Sequence, residues 1–346
     1  MLRTLNFRAL LVAATATLLL VLAIFAGSRR LQNFDAALFA YLFGTVFAFF
    51  GIAYRYAVWL QRPPTRLYWN RGWSLFFSRR IFVLGWAFLV HFVNDIIIQR
   101  FVLARGTSRW TGHMLMAWGC LLAFAVTLPM TFGWIHFTLK PETLNIYEVY
   151  FFGFEVFNFR LNTVLAYIIF HVLDWSAFAV IAGVMLIMRR RLTNAGLLAV
   201  QTFEGDWMPL ILLLAISVTG LGLTWDYEFM GGNAHQFMAI THAITVILFL
   251  VWLPFGKFFH IFQRPAQLGI AIYRKEGELG AQAVCPHTGN AFASKLHVDD
   301  LKQVTGELGF DFTLENGGSH LDLSPQGKRA ALARAHMKAR EGKFFG

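Results

Sequence analysis

Cysteine and charge are both scarce in this chain. It has two cysteines, Cys120 and Cys285, among 346 residues, which is too few for a disulfide framework or a four-cysteine iron–sulfur site. Charged residues make up 14% of the sequence, about half their share in an ordinary soluble domain. Hydrophobic residues make up 57%. This composition predicts an integral membrane protein, and the net charge of +11 fits basic flanks of membrane helices better than nucleic-acid binding.

Long apolar runs predict the membrane spans. A transmembrane helix needs about 20 mostly apolar residues. Six segments reach this length: 9–27, 36–60, 112–137, 163–188, 207–229 and 238–259. The first has a basic start like a signal peptide, but its long run predicts a retained helix. The predicted fold class is therefore an all-α integral membrane protein, with a six-helix transmembrane bundle.

The segment 81–104 is a candidate for a seventh span. It is interrupted by polar residues, namely His91, Asn94, Asp95 and Arg100. If it spans, the arginines of either 61–80 or 188–192 fall outside, whereas cytoplasmic loops normally collect Lys and Arg. We therefore predict that 81–104 lies along the inner surface as an amphipathic helix, and that both chain ends are cytoplasmic. Seven spans are the alternative.

Three regions follow from these predictions. Residues 1–35 contain an extra N-terminal transmembrane helix, residues 36–265 form the main membrane domain, and residues 266–346 form a small polar cytoplasmic tail. The end of the tail, 325–342, is rich in Arg, Lys and Ala and is predicted as a surface helix.

Histidines in the spans are the strongest functional signal, because ionisable residues in membranes are costly and tend to mark function. His242 and His260 are 18 residues apart on the predicted last span. In a continuous α-helix this spacing is five turns and about 27 Å, which places one imidazole near each membrane face on one helix side. Two stacked haems need such a shared helix.

Each haem iron then needs a second ligand from another helix. His113 begins the third span at the depth expected for His260, and His171 is predicted to match His242 nearer the outer face. The hypothesis is two bis-histidine b-type haems, held by His113 with His260 and by His171 with His242. A structural, hydrogen-bonded role is the simpler explanation for any single one of them.

The stretch from Met185 to Pro265 resembles the cytochrome b (gamma) subunit of membrane-bound nitrate reductase. The matching pieces are Leu186–Leu192, Thr241-His242 and Leu253–Ile261. In that family the last helix gives one ligand to each of two haems at the same 18-residue spacing, which carries over to His242 and His260. The run from Asp95 to Gly119 is similar to membrane subunits of heterodisulfide reductase and of sulfite-reductase-associated complexes, where the segment before the arginine–tryptophan pair is a cytoplasmic surface helix.

The sequence also departs from the nitrate reductase pattern. That family places two ligands ten residues apart on one helix, but the position ten after His113 is Ala123. The partner of His242 must come from elsewhere, with His136 and His91 as alternatives to His171. If none of them serves, the chain holds one haem. The resemblance covers about 36–265 and implies a haem-binding core of four or five helices.

The resemblance implies a membrane-anchor dihaem cytochrome b subunit of a respiratory oxidoreductase complex in a bacterial or archaeal cytoplasmic (inner) membrane. Such a subunit passes electrons between membrane quinone and an iron–sulfur partner subunit, which docks with a catalytic subunit on the cytoplasmic face. Substrate chemistry would belong to the partner, so the enzyme status of this chain is left open. His136 and Lys140 are candidate quinone-site residues, because quinone chemistry needs a hydrogen-bond donor and a proton relay. Interfacial snorkelling is the simpler explanation for Lys140.

The alternative function is a proton-coupled secondary transporter without haem. Two acidic residues inside spans, Asp174 and Asp226, fit such a carrier. Transporters usually show internal repeats and paired broken helices, and the sequence shows no repeat. The presence of haem distinguishes the two functions.

Overall fold

The computed structural model of the protein describes residues 5–141, 143, 145–314 and 317–340. The helices are α1 Phe7–Gly27, α2 Phe39–Leu60, α3 Pro63–Phe76, α4 Ile81–His91, α5 Arg100–Leu103, α6 Thr107–Thr131, α7 Val164–Thr193, α8 Ala195–Val200, α9 Met208–Phe229, α10 His235–Trp252, α11 His260–Gln263, α12 Ala266–Leu279, α13 Lys295–Glu307 and α14 Pro325–Arg340. The strands are β1 Ile135–Leu139, β2 Ile146–Phe151, β3 Phe154–Arg160, β4 Gln282–Val284 and β5 Ala291–Ser294. The predicted surface helix at 325–342 is helical to Arg340, and its last two residues lie outside the described residues.

The chain divides into two compact units. Unit 1 comprises Met1–Val58 and Ile97–Phe262, and unit 2 comprises Trp59–Ile96 and Gln263–Gly346. The sequence-based regions assigned 59–96 to the membrane domain, whereas this segment groups with the C-terminal segment. Hydropathy could not reveal this grouping, because it depends on contacts between distant parts of the chain.

Six helical segments are long and apolar enough to cross a membrane. They are α1, α2 with its preceding turn, α6, α7, α9 with its preceding π-helical turn Phe203–Trp207, and α10. This confirms the prediction of a mainly helical, multi-pass membrane protein with six candidate spans. Helix α3 and the segment Ile81–Ile97 qualify only as a pair bent by 119°. A seventh span would therefore require that this bent pair be counted as one.

The core of unit 1 lies between α2, α6, α7, α9 and α10. Its buried residues are Ala48, Val180, Val184, Leu210, Leu213, Phe249, Leu250 and Leu253, and Met116, Cys120 and Phe124 of α6 pack against them. Helix α1 is joined to this bundle at its two ends. The Asn6 backbone N–H donates to the Tyr54 hydroxyl at 3.3 Å, and the Trp134 indole donates to the Ala23 carbonyl at 3.3 Å.

Glycines bring α6 and α7 into close contact. A Cβ atom placed on Gly183 would lie 2.7 Å from the Gly112 carbonyl oxygen, and one placed on Gly119 would lie 2.8 Å from the Ser176 carbonyl oxygen. Small residues allow membrane helices to approach this closely. The glycines therefore fix the register of α6 against α7.

Helix α10 ends at Trp252, and this corrects the predicted span 238–259. Pro254 has no N–H to donate, and Gly256 adopts an extended backbone. The Arg55 guanidinium donates to the Pro254 carbonyl at 2.8 Å and the Gly256 carbonyl at 3.0 Å. A 3₁₀ turn, Lys257–Phe259, then leads into α11. The argument of five continuous turns between His242 and His260 therefore does not hold.

A three-stranded antiparallel sheet connects α6 to α7, in the order β1-β2-β3. The sequence predicted a third span to 137 and a loop over 138–162, but α6 ends at Thr131 and β1 begins at Ile135. One face of the sheet packs its apolar side chains, including Val149 and Phe159, against Ala166 and Ile169 of α7. Alternation of apolar and polar residues in these strands has a period of two, which a span search does not detect.

Unit 2 is built on α12, which packs against α3 and α4. Arginines of the segment 61–80, predicted to set membrane orientation, form ion pairs here: Arg66–Glu307 at 2.6 Å, Arg71–Asp300 at 2.7 Å and Arg80–Glu276 at 2.7 Å. Asp300 is buried and also accepts a hydrogen bond from the Tyr273 hydroxyl at 2.9 Å. The C-terminal segment is therefore a folded partner of α3, with its own hairpin of β4 and β5.

The segment 81–104 is helical, but it is interrupted rather than one continuous helix. It is divided into α4, a π-helical turn Phe92–Ile97 and α5. Exposed side chains on α4 are large and apolar, including Phe82, Trp86 and Leu89. An amphipathic helix at a membrane surface buries such an apolar face in the lipid, so this exposure is compatible with the predicted surface position.

Candidate functional site

His242 lies on the face of α10 that packs into the core. Val246, Phe249 and Leu253 share this face, since they follow His242 by four, seven and eleven residues. Nδ1 of His242 lies 3.0 Å from the Thr219 hydroxyl of α9. A Cβ atom placed on Gly220 would lie 3.3 Å from Cε1 of the ring. The imidazole is thus held between two spans.

The surrounding hydrogen bonds are all satisfied when Nδ1 of His242 carries the proton. The Thr219 hydroxyl donates to the Ala215 carbonyl at 2.7 Å, and the Thr245 hydroxyl donates to the His242 carbonyl at 2.8 Å. Each hydroxyl has one hydrogen, so Nδ1 of His242 is the donor to Thr219. This assignment leaves Nε2 with its lone pair, which is the form of histidine that binds a metal.

His171 and His260 are held in the same tautomer by backbone carbonyls. Nδ1 of His171 donates to the Tyr167 carbonyl at 2.9 Å, and Nδ1 of His260 donates to the Lys257 carbonyl at 2.7 Å. A carbonyl can only accept, so Nδ1 carries the proton in both rings. Three of the four predicted ligands therefore present Nε2 for coordination.

His113 lies on the core-facing side of α6. It precedes Met116, Cys120 and Phe124, which pack against the buried core of unit 1, by three, seven and eleven residues. These spacings lie on one helix face. The adjacent Gly112 contacts α7. His113 is therefore directed into the bundle, as the haem hypothesis requires.

His260 is positioned by Arg55 rather than by a continuous last helix. The Arg55 guanidinium binds the turn before α11 and lies over the Phe259 ring, 4.3 Å from its centroid. This fixes the backbone on the N-terminal side of His260. The role of Arg55 is visible only in the fold, because it is about 200 residues away in sequence.

His171 and His242 differ in their position along α9, which contacts both of their helices. The Thr224 hydroxyl donates to the Asp174 carboxylate of α7 at 2.7 Å, and His171 lies one turn beyond Asp174. Thr219, which contacts His242, is five residues before Thr224 on α9. At the rise of an α-helix, the two histidines are therefore displaced from each other by about 12 Å along α9. Two histidines that held the same haem iron would have to lie at the same level of the bundle. This displacement is unfavourable for the predicted His171–His242 pair.

The alternatives to His171 have other surroundings. His91 is in unit 2, where its Nδ1 lies 2.8 Å from the Asp95 carboxylate. His136 is on β1, and its ring stacks on Tyr150 with centroids 4.9 Å apart. The partners of both rings thus lie outside the buried core of unit 1.

The sheet brings the two predicted quinone-site residues onto one polar face. His136 pairs with Tyr150 across the strands, Thr138 pairs with Glu148, and Lys140 follows on the same side. The Tyr150 hydroxyl donates to Glu148 at 3.0 Å, and the Lys140 ammonium lies 3.8 Å from the same carboxylate. His136 and Lys140 are therefore connected through Tyr150 and Glu148.

Burial and a nearby positive charge both favour the neutral form of His136. Burial lowers the pKa of His136 below its ordinary value, and the positive charge of Arg29 lowers it further. Its Nδ1 is shielded from solvent and has no hydrogen-bond partner among the described residues. A neutral imidazole with an available nitrogen can accept a proton.

No group of three or more His, Cys, Asp or Glu side chains within the described residues is arranged to hold a metal ion. A haem iron takes at most two protein ligands, which is fewer than such a group. Comparisons of the chain with protein-family models, curated proteins and solved structures find no match.

Proposed function

We propose that the chain is a membrane-anchor cytochrome b subunit of a respiratory oxidoreductase complex, carrying electrons between membrane quinone and a cytoplasmic iron–sulfur partner subunit. The observation that carries this proposal is His242. It faces the core of a spanning bundle, and Thr219 holds it in the tautomer whose Nε2 lone pair is free for a metal. Burying a histidine in a membrane bundle is costly, and such residues tend to be functional.

The histidines would hold b-type haem through Nε2. His113 and His242 face the core, Arg55 positions His260, and His171 keeps its Nδ1 on a backbone carbonyl. Haem bound by two histidines supplies one-electron transfer at an iron with no open coordination position. Two haems are proposed, with one haem as the outcome if His171 does not serve.

The polar face of the outer sheet is the proposed quinone site. Oxidation of a quinol releases two electrons and two protons, so the site must bind the ring oxygens and accept protons. Lys140 carries a hydrogen-bond donor, and Glu148 and the neutral His136 can accept protons. The Tyr150 hydroxyl donates its one hydrogen to Glu148, and this bond raises the pKa of Tyr150, so Tyr150 orients the carboxylate that would accept a proton.

The transporter alternative rested on Asp174 and Asp226. Asp174 accepts the hydrogen bond from Thr224, and Oδ1 of Asp226 accepts one from the Ala234 backbone N–H at 2.8 Å. These contacts join α7 to α9 and close the turn before α10. They give both carboxylates structural contacts, while Oδ2 of the buried Asp226 has no hydrogen-bond partner among the described residues. The span histidines make the cytochrome the favoured proposal.

The proposal is tested by haem quantitation on the purified protein, with a dithionite-minus-oxidised spectrum and a pyridine haemochrome assay. We expect about two protohaems per chain, and a loss of one in His242→Ala. His297→Ala is the matched control, since His297 is exposed in unit 2, and it should keep the full content.

Folded protein without haem would overturn the proposal. If His171→Ala keeps both haems, another residue is the partner of His242. For the quinone site, Lys140→Ala and His136→Ala should each weaken quinol oxidation while leaving haem content unchanged. Unaltered quinol kinetics in both variants would exclude this face of the sheet.

A further inference from the structure

The turn between β2 and β3 exposes phenylalanine side chains at its tip. Phe151 and Phe154 pair across the strands, and Phe152 and Gly153 between them have φ of 50° and 78°. Both turn residues are therefore left-handed, as in a type I′ hairpin, where asparagine, aspartate or glycine is the usual first residue. A bulky phenylalanine is unfavourable there. Phe151 is 44% exposed and Phe154 is 72% exposed, so burial within the protein does not explain an apolar tip.

Phe152 holds this tip against the end of span α1, within unit 1. Its backbone N–H donates to the Trp134 carbonyl at 2.7 Å, and the centroids of its ring and the Trp134 indole are 5.3 Å apart. The indole in turn donates to the Ala23 carbonyl at 3.3 Å. A Cβ atom placed on Gly27, the last residue of α1, would lie 2.6 Å from the indole and 2.8 Å from the Phe152 ring. The tip is therefore level with the last turn of α1.

The length of α1 sets the depth of the tip in the membrane. The uncharged stretch 9–28 lies between Arg8 and Arg29, and as a helix it is about 30 Å long. This is the thickness of the hydrocarbon layer. The last turn of α1, and with it the Phe152 ring, therefore lies at the boundary between acyl chains and headgroups.

Helix α7 gives the same depth from the other side of the sheet. The apolar face of the sheet packs on Ala166 and Ile169 of α7. Arg189 is the first arginine at the far end of this span. Counting back about 20 residues from Arg189, which is the length of a span, leads to Ile169. The sheet thus meets both spans at the boundary of the hydrocarbon layer.

The part of the apolar face nearest the tip is not covered by α7. Phe151, Phe154 and Phe157 share a face with the buried Val149, as the strand register shows, but all three are exposed. The Arg29 guanidinium lies over the Phe154 ring, 5.7 Å from its centroid. Exposed rings beside a basic residue suit a membrane interface, where the rings enter the acyl chains and the cation faces lipid phosphates.

We infer that Phe151–Phe154 is an interfacial anchor, whose side chains insert into the leaflet in which α1 ends. Lipid is the occupant because the tip is continuous with two spans and lies at the depth where both reach the headgroups. The anchor would fix the sheet on the bilayer. It goes beyond the proposed function, because it needs neither haem nor quinone.

The test is the depth of nitroxide labels in vesicles of phosphatidylcholine and phosphatidylglycerol. Single cysteines replace Phe151 or Phe154 in a Cys120→Ala parent, which retains the fully buried Cys285, and the signal of the labelled parent is subtracted. The matched control is Asn158→Cys, an exposed position of β3 that pairs on the polar face of the same sheet. Power saturation then compares collision of each label with oxygen, which dissolves in lipid, and with a water-soluble nickel chelate.

We expect oxygen to relax the labels at Phe151 and Phe154 more than nickel does, and the Asn158 label to show the reverse preference. A nickel preference at either phenylalanine position would overturn the inference. Exclusion of both reagents would also overturn it, because a protein partner or a second copy would then cover the tip. An equal oxygen preference at Asn158 would do the same, since the whole sheet would then be immersed. Each variant must match the parent in gel filtration, and Phe157→Cys, on the same face, replaces any that does not.

Discussion

Thr219 of α9 accepts a hydrogen bond from Nδ1 of His242 on α10 at 3.0 Å, and this contact joins two neighbouring spans. It orients the imidazole and determines its tautomer in one interaction. Outer contacts of this kind hold metal ligands in place and raise their basicity. Thr219 is therefore the residue through which the proposed haem site can be altered without removal of a ligand.

Thr219→Val should weaken haem binding at His242. Valine has the shape of threonine but cannot accept the Nδ1 hydrogen, and loss of such a partner typically costs about 10- to 100-fold in affinity. The measurement is the rate of haem transfer from the purified protein to apomyoglobin. Thr219→Ser keeps the hydroxyl and serves as the control, so equal transfer from both variants would contradict the role given to Thr219.

Asp300→Asn should strongly destabilise unit 2. Its carboxylate is buried, forms a two-point pair with Arg71 and accepts from Tyr273. Breaking a buried pair costs about 3–5 kcal/mol. Because the guanidinium of Arg71 is half-exposed, we expect the free energy of unfolding to fall by the lower value of this range or less. The measurement is the free energy of unfolding, combined with proteolysis of the C-terminal segment.

Asp299→Asn is the matched control for this prediction. It removes the exposed Lys295–Asp299 pair one residue away, and such pairs contribute about 0–1 kcal/mol. Equal losses in the two variants would show that the Asp300 cluster does not stabilise the unit.

Acidification should destabilise the sheet of β1, β2 and β3 through His136. Its pKa in the folded protein is lowered by burial and by Arg29, whereas an unfolded histidine titrates near about pH 6.5. The unfolded chain therefore binds the proton more readily. This contribution to stability is complete above about pH 6.5 and is lost as the pH falls through the lower folded value.

Arg29→Gln should raise the pKa of His136 and reduce this loss. Hydrogen–deuterium exchange at the imidazole carbon, followed by mass spectrometry across a pH series, measures the pKa directly. Arg30→Gln changes the same charge at the neighbouring residue. If it shifts the His136 pKa as much as Arg29→Gln does, the effect is due to general charge rather than to the position of Arg29.

Gly183→Ala should separate α6 from α7. The added methyl group would lie 2.7 Å from both the Gly112 carbonyl oxygen and the Met116 backbone nitrogen, and overpacking of this kind costs about 1–3 kcal/mol. A lower thermal unfolding midpoint is expected. Gly306→Ala adds the same atom to α13 in open space and should be neutral or stabilising, because alanine favours helix. A similar decrease in both would contradict the packing argument.

Much of the fold could be predicted from composition and periodicity. The six spans were predicted because hydrocarbon thickness imposes a length on any spanning helix. The end of α10 was missed, although Pro254 and Gly256 were visible in the sequence, because the histidine spacing favoured a continuous helix. The sheet was missed because a search for long apolar runs does not detect strands. In these strands apolar side chains are interspersed with polar ones, so no long apolar run forms.

The candidate site was only partly predictable. The histidines could be chosen as candidate ligands because an ionisable side chain is costly inside a membrane. His113 and His242 face the core of unit 1, as candidate ligands should. Thr219, Arg55 and Tyr150 were not selected, since each acts on a residue distant in sequence. The level of His171 relative to His242 depends on how α9 packs against two other helices, and no spacing in the sequence contains that information.

Unit 2 combines an early and a late segment of the chain, and this has a consequence for biogenesis. Residues 59–96 leave the ribosome before most of the membrane bundle, but their ion-pair partners Glu276, Asp300 and Glu307 are synthesised near the end of the chain. At about 5–20 residues per second, the arginines of α3 wait on the order of ten seconds or longer for these carboxylates. During that interval they are unpaired and carry full positive charge beside the second span. The same arginines can therefore orient the nascent chain in the membrane first and fold the C-terminal segment afterwards.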